Sequence, residues 1–183
     1  HNGMVFVRGN PLDFQRWASY GLPNWSYKNV LPYFKKLETW SGGENLYRGG
    51  KGPLKVNRSK IDERFPLFNS LIKAAAEAGY ETFEDSNGFK QDGFGTFDVT
   101  IDGGKRQSVA RAYLEEVKNY NNLKVKHKTD VSKIIFKDKK AIGVEVQNNN
   151  ETDVYYCNKE IILSAGSINS PKILQLSGGG DLK

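Results

Sequence analysis

The stretch Ile161-Ile162-Leu163-Ser164-Ala165-Gly166-Ser167-Ile168-Asn169-Ser170-Pro171-Lys172-Ile173-Leu174-Gln175-Leu176-Ser177-Gly178 constrains this chain more than any other. Its first part reads as an apolar strand, residues 161–165, running into a turn at Gly166. Ser170 and Pro171 then predict a helix start. A serine hydroxyl satisfies free N–H groups of the first turn, and proline suits the first helical position because it has no N–H to leave unpaired. Ile173, Leu174 and Leu176 supply an apolar face, and Gly178 is placed to end the helix. A strand that enters a helix through a close glycine turn aims backbone N–H groups at one point, which makes a cradle for a phosphate. By itself the pattern also fits an ordinary strand-to-helix connection.

The other end of the chain narrows the choice. It reads His1-Asn2-Gly3-Met4-Val5-Phe6-Val7-Arg8-Gly9-Asn10-Pro11-Leu12-Asp13-Phe14. Taken together, the two stretches resemble the flavin-dependent glucose–methanol–choline (GMC) oxidoreductases. The C-terminal one is similar to that family's second signature, Gly-Ser/Ala-x-x-Ser-Pro-x-x-Leu-x-x-Ser-Gly, and the N-terminal one to the back half of its first. Asn24-Trp25-Ser26-Tyr27, Val30-Leu31-Pro32-Tyr33-Phe34, Tyr47-Arg48-Gly49-Gly50-Lys51-Gly52-Pro53-Leu54 and Asp92-Gly93-Phe94-Gly95 fit as well. The resemblance spans essentially the whole chain and is closest to the family's choline-oxidising bacterial branch.

Two family features are missing. The strand–Gly-x-Gly-x-x-Gly–helix unit that holds the ADP half of FAD is absent, since Gly178-Gly179-Gly180 follows a helix rather than a strand. The family's C-terminal catalytic histidine, with its histidine or asparagine partner, is expected beyond Lys183. Gly179 also stands where the family usually has a branched aliphatic residue. The resemblance therefore implies an internal fragment of a longer enzyme. Its fold class is α/β, with mixed α+β elements: part of an FAD-binding Rossmann-like domain and part of an antiparallel-sheet substrate-binding domain. Residues 1–53 are assigned to the FAD domain and cap helices, 54–101 to the substrate-binding domain, and 102–183 to the return into the FAD domain.

Composition agrees with a globular protein. The 183 residues carry enough apolar side chains for a core. No apolar run approaches the ~20 residues that span a bilayer, and no secretory signal pattern opens the chain. One cysteine, Cys157, allows no internal disulfide and no cysteine-rich metal site, so no metal is expected. Lys and Arg number 27 against 21 Asp and Glu, a net +6. The lysines crowd between residues 124 and 140, but three of them alternate with Val125 and His127 as on the wet face of a strand. Lys137-Asp138-Lys139-Lys140 reads as a hairpin turn. No nucleic-acid motif accompanies the charge, and a solvated sheet face accounts for it. Nucleic acid is excluded as a partner; attraction to an acidic membrane surface ranks second. The expected location is cytoplasmic, with peripheral attachment to the inner membrane as its variant.

Local patterning predicts short helices over residues 11–40, with Asn24 and Ser26 as caps near the second. Residues 48–53 read as loop and 54–56 as a strand. Residues 65–79 form an amphipathic helix with Phe68, Leu71, Ile72 and Ala75 inward and Gly79 as its stop. Residues 94–101 alternate like a strand before a turn at Asp102-Gly103-Gly104. Ser108 begins a helix through Val117. Residues 123–127, 131–136, 141–147 and 153–163 read as strands, with Asn148-Asn149-Asn150 as a turn.

The resemblance places Asn2, Gly3, Met4 and Val5 beside the isoalloxazine ring, where small residues let the backbone approach; on residue type alone they read as an edge strand with an irregular start. Val131 matches the position whose backbone meets the adenine, and otherwise reads as core. Ala165 and Gly166 match the turn against the FAD ribose and pyrophosphate. His1 sits where some family members carry a histidine bonded to the flavin 8-methyl carbon. It reads equally as an accident of where the sequence begins. His127 is structural.

The implied chemistry is oxidation of an alcohol to an aldehyde, with hydride passing to flavin N5 and a base taking the hydroxyl proton. The substrate is choline or a related primary alcohol, and the electron acceptor is a respiratory chain or oxygen. No catalytic residue is named within the chain. Phe94, Phe97 and Tyr113 suit a quaternary ammonium by type, but read first as core. The competing class is a short, non-catalytic relative that binds a nucleotide or a partner. As an isolated piece the chain is expected to bind little FAD and turn over no substrate.

Overall fold

Asn10 starts the first helix, accepting the Leu12 N–H on its Oδ1 at 2.9 Å, and Pro11 occupies the first helical position. The computed structural model describes residues 3–59, 66–148 and 151–180. They divide into two units, residues 1–123 and 124–183.

In the first unit, β1 (Val5–Phe6) precedes α1 (Pro11–Ser19). A 3-10 turn (Pro23–Trp25) leads to α2 (Tyr27–Leu37). Phe14 joins these elements, with ring centroids 5.4 Å from Trp17, 6.1 Å from Tyr27 and 5.6 Å from Phe34. The expected caps of α2 are not realised. Asn24 lies inside the 3-10 turn, and Ser26 stands at the cap position without a side-chain bond. Its carbonyl instead accepts the N–H groups of Asn29 and Val30.

The helical pattern expected to run to residue 40 ends at Leu37. Glu38 turns extended and opens β2 (Glu38–Trp40), which pairs in parallel with β3 (Leu54–Arg58). Tertiary contacts override helix propensity here, because the Glu38 side chain is buried among arginines. The sheet has the order β1-β4-β3-β2, with β4 (Asp98–Val99) antiparallel to both its neighbours. Leu54, Val56 and Ala112 form its buried core, with Phe6, Leu37, Trp40 and Tyr113 packed against them.

The expected strand over residues 94–101 is broken. Phe94 makes only an isolated bridge to Thr82, and pairing resumes at β4 and β5 (Ile101–Asp102). Gly95 lies against the Phe83 ring, and this local packing competes with a ladder. The β5 hairpin to β6 (Lys105–Arg106) turns through Gly103 and Gly104, both at positive φ, as expected. Helix α3 (Pro66–Glu77) buries Ala75 and ends at Gly79, but Leu71 points outward, 52% exposed; Phe65 lies outside the described residues. Ser108 starts its helix through an Oγ that accepts the Arg111 N–H. The first stretch, Ala110–Leu114, is π-helical before α4 (Glu115–Val117).

The second unit is a meander of β7 (Asp130–Lys137), β8 (Lys140–Asn148) and β9 (Glu151–Tyr156), followed by α5 (Gly166–Leu176). Asp138 and Lys139 both adopt positive φ, the geometry of a two-residue hairpin turn. Asn149 and Asn150, part of the expected second turn, lie outside the described residues. Ser177 ties α5 to the sheet, accepting the Ile134 N–H at 2.7 Å while donating to Ile173 O.

Two expected strands are not formed. Residues 123–127 and 161–165 make no ladder among the described residues, and Val125 and Ile162 are exposed. A strand exists only through its partner, and neither segment has one here. The helix start also moves: α5 begins at Gly166, four residues before Ser170, and Pro171 lies inside it. Ser170 accepts the Ala165 N–H at 3.0 Å, so its hydroxyl closes the turn before the helix instead of capping the first turn. Gly178, at positive φ, ends α5 as expected.

Candidate cofactor-facing site

At the start of β1 the backbone bends: Met4 has φ +63°, an uncommon value for a residue with a side chain. Its carbonyl accepts the N–H of Thr100 at 2.8 Å, and Val5 pairs with Val99. Because β1 is the outer strand of its sheet, its other edge has no strand partner among the described residues. This start lines a groove of about 760 Å³ together with Leu54, Thr100, Gln107 and Ser108. That volume lies in the range that takes a small-molecule ring system. A Cβ on Gly3 would meet only Val5 Cγ2, at 3.8 Å, so packing within the chain does not demand glycine there.

Behind β1 lies a buried ionic cluster that sequence reasoning missed. Arg48 Nε and Nη2 donate to the two oxygens of Glu38 at 2.8 and 3.1 Å, and its Nη1 donates to Asp85 and Asp98 at 2.7 and 2.6 Å. Arg8 Nη2 donates to Glu38 at 2.7 Å, and Arg58 Nε to Asp98 at 2.9 Å. Arg48 and Glu38 are fully buried. Three guanidinium groups thus face three carboxylates, and the cluster is neutral.

Burial works against the charge on Arg48, but its hydrogen bonds to Glu38 and Asp98 outweigh it and hold its pKa above the ordinary value. At Arg8 burial prevails over the attraction of Glu38 and lowers the pKa. Burial likewise raises the phenol of Tyr27, against the pull of Arg8. The one clue in the sequence was Arg48, which stands in the glycine-rich segment that carries the family resemblance. Glu38 fell within the stretch expected to be helical, with no role assigned to it.

In the second unit, Ala165 and Gly166 form the entry to α5. No side chain caps this helix, so N–H groups of its first turn are free for an anion. Gly166 has φ +96° with open space where a Cβ would stand. Val131 lies near the start of β7 opposite Val146, half-exposed rather than core. Gly3, Met4 and Val5 are thus together in the first unit, and Ala165, Gly166 and Val131 fall in the second. His1 and Asn2 lie outside the described residues. Among the described residues no cluster of His, Cys, Asp and Glu could hold a metal ion. An open strand edge bordering a groove fits a planar heteroaromatic ring, and an uncapped helix start fits a phosphate.

The GMC oxidoreductase family model matches residues 1–183. An oxygen-dependent choline dehydrogenase from Photobacterium profundum is 43% identical over 179 residues, covering 98% of this chain and 32% of that protein. The mitochondrial choline dehydrogenase of Mus musculus is 44% identical over 180 residues, 98% of this chain and 30% of its own. Among solved structures, an FAD-dependent oxidoreductase from Chaetomium thermophilum superposes with a TM-score of 0.82 at 32% identity, covering 97% of this chain and 33% of that one. The sequence and fold are those of a flavoprotein oxidoreductase. The chain belongs to the GMC oxidoreductase family, whose cofactor is FAD. It spans about a third of the length of the curated relatives it matches.

Proposed function

We propose that the protein is an FAD-dependent alcohol oxidoreductase that converts choline or a related primary alcohol to the aldehyde. The observation that carries this reading is the open edge at Gly3, Met4 and Val5, bordering a groove of about 760 Å³. The 43% and 44% identity to choline dehydrogenases supports the substrate class. When bound, FAD supplies the acceptor for the hydride, at N5 of its isoalloxazine ring. Backbone groups of Gly3, Met4 and Val5 hold that ring, and the main chain of Val131 meets the adenine. The turn at Ala165 and the uncapped N–H groups of the first turn from Gly166 onward hold the pyrophosphate. Asn2 extends the ring-facing segment, and His1 is the candidate for a covalent bond to the flavin.

No residue of this chain is assigned as the base that takes the hydroxyl proton. Residues 1–53 and 102–183 serve the FAD-binding domain, and 54–101 the substrate-binding domain. The electron acceptor is oxygen or a respiratory chain. The proposed location is cytoplasmic, with a solvated sheet face accounting for the net +6 and peripheral contact to an anionic inner membrane as the variant. No described helix is long and apolar enough to cross one.

The test is anaerobic addition of choline to the full-length protein. Bleaching of the visible flavin band by choline, and not by glucose or methanol, is expected. A flavin that stays oxidised with choline but bleaches with another alcohol would overturn the substrate.

A further inference from the structure

Strand β1 is only two residues long, and its apolar side chains do little to hold it. Val5 and the adjacent Val7 are 56% and 52% exposed, and only Phe6 packs on the core. What fixes this segment is polar. Arg8 N donates to Asn87 Oδ1 at 2.7 Å, and Asn87 Nδ2 donates to Phe6 O at 3.0 Å. The Asn87 side chain thus takes both backbone groups as a neighbouring strand would.

Asn87 is itself held in place. Its N–H donates to Asp85 Oδ1 at 2.9 Å, and the same oxygen accepts Arg48 Nη1 at 2.7 Å. Arg48 Nε reaches Glu38 Oε1 at 2.8 Å, and that oxygen accepts Arg8 Nη2 at 2.7 Å. The path leaves residue 8 by its backbone and returns to it by its side chain. Asp98, whose carboxylate also accepts from Arg48, is the ladder partner of Phe6. The circuit runs through residues from four separate segments, and Asn87, Arg48 and Glu38 are fully buried.

We propose that this closed ring through Arg8, Asn87, Asp85, Arg48 and Glu38 sets where Gly3, Met4 and Val5 lie against the flavin, with Asn87 as a positioning residue. The ring begins three residues beyond Val5, and a rigid anchor at that distance transmits its position along an extended backbone. Buried charges are costly to separate, so the ring holds one geometry where a two-residue ladder would fray. Backbone groups near the redox-active edge bind the oxidised and reduced rings unequally, so displacing them changes the relative affinity for the two states. The inference rests on the flavin reading proposed above.

The test uses the full-length holoenzyme carrying Asn87→Ala, with Ala75→Gly in α3 as a control that destabilises without touching β1. Two quantities are read: the flavin midpoint potential, and, in the flavin-free protein, amide hydrogen exchange at Thr100, whose N–H donates to Met4 O. Asn87→Ala is expected to change the ratio of affinities for reduced and oxidised flavin at least tenfold, about 30 mV for a two-electron couple. Exchange at Thr100 is expected to rise at least tenfold, and the control should do neither. Should Asn87→Ala fail to fold, Asp85→Asn keeps an acceptor for the Asn87 N–H and removes the charge facing Arg48; a smaller shift of the same kind is expected. Flavin present with potential and exchange unmoved, or moved equally by the control, overturns the positioning role. Wild-type protein that holds no flavin overturns the functional reading and this role with it.

Discussion

Replacing Arg48 with methionine removes one guanidinium from the buried cluster and keeps most of the stem volume. In the native chain Arg48 donates four side-chain hydrogen bonds, to Glu38 twice and to Asp85 and Asp98 once each. It also lies 4.3 Å from the centroid of the Trp40 ring. The variant leaves three carboxylates facing two guanidinium groups, with Glu38 and Asp98 at 0% and 1% exposure. Breaking a buried pair from one side costs about 3–5 kcal/mol, because the remaining charge stays desolvated. A typical domain has roughly 5–15 kcal/mol of stability, so the loss is a large share of the whole. Arg16→Met is the comparison: its pair with Asp13 is half-exposed and contributes about 0–1 kcal/mol. Urea unfolding followed by tryptophan fluorescence reads both. A second arm adds Glu38→Leu to Arg48→Met, which restores charge balance and is expected to recover part of the loss. If Arg48→Met lies within about 1 kcal/mol of Arg16→Met, the cluster does not hold this unit together.

Three further outcomes are expected. A Cβ at Gly49 would fall 1.8 Å from the Lys35 carbonyl oxygen, so Gly49→Ala should lower the thermal midpoint, with a cost of about 1–3 kcal/mol or more; an unchanged midpoint would contradict the close approach. Burial holds the Tyr27 phenol neutral above its ordinary pKa, so its contribution is complete below about pH 10 and is lost as pH rises through the folded value. Tyr27→Phe should therefore flatten the alkaline fall in stability, measured as urea midpoints against pH. Glu145 is held below the usual carboxylate range first by the Ser132 hydroxyl and then by Lys133, and its contribution is lost as pH falls through the depressed value. Ser132→Ala should raise the Glu145 pKa in a carbon-detected NMR titration, and by more than Lys133→Met does.

Elements governed by local chemistry were legible in the sequence. The start of α1 follows from Asn10 and Pro11, the hairpin at Gly103 and Gly104 from two residues that tolerate positive φ, and the stops at Gly79 and Gly178 from the same freedom. Elements that depend on distant partners were not. Residues 161–165 have strand composition but no ladder, and Glu38 leaves a helical pattern to meet two arginines from other segments. Ser170 is a plausible cap by type, yet it serves the turn before the helix. Of the residues proposed to face the cofactor, Gly3, Met4 and Val5 were legible only through a motif. Nothing in their types announces the left-handed Met4 or the groove beside it. The ring behind them joins residues up to 79 positions apart, a closure that no local pattern encodes.

This chain is proposed to supply the backbone surfaces of a flavin site. A crystal structure of the full-length protein with FAD bound tests it most directly. The isoalloxazine ring is expected against Gly3, Met4 and Val5, the pyrophosphate at Ala165 and Gly166, and the adenine at Val131. A flavin whose ring and phosphates contact none of these residues would contradict it.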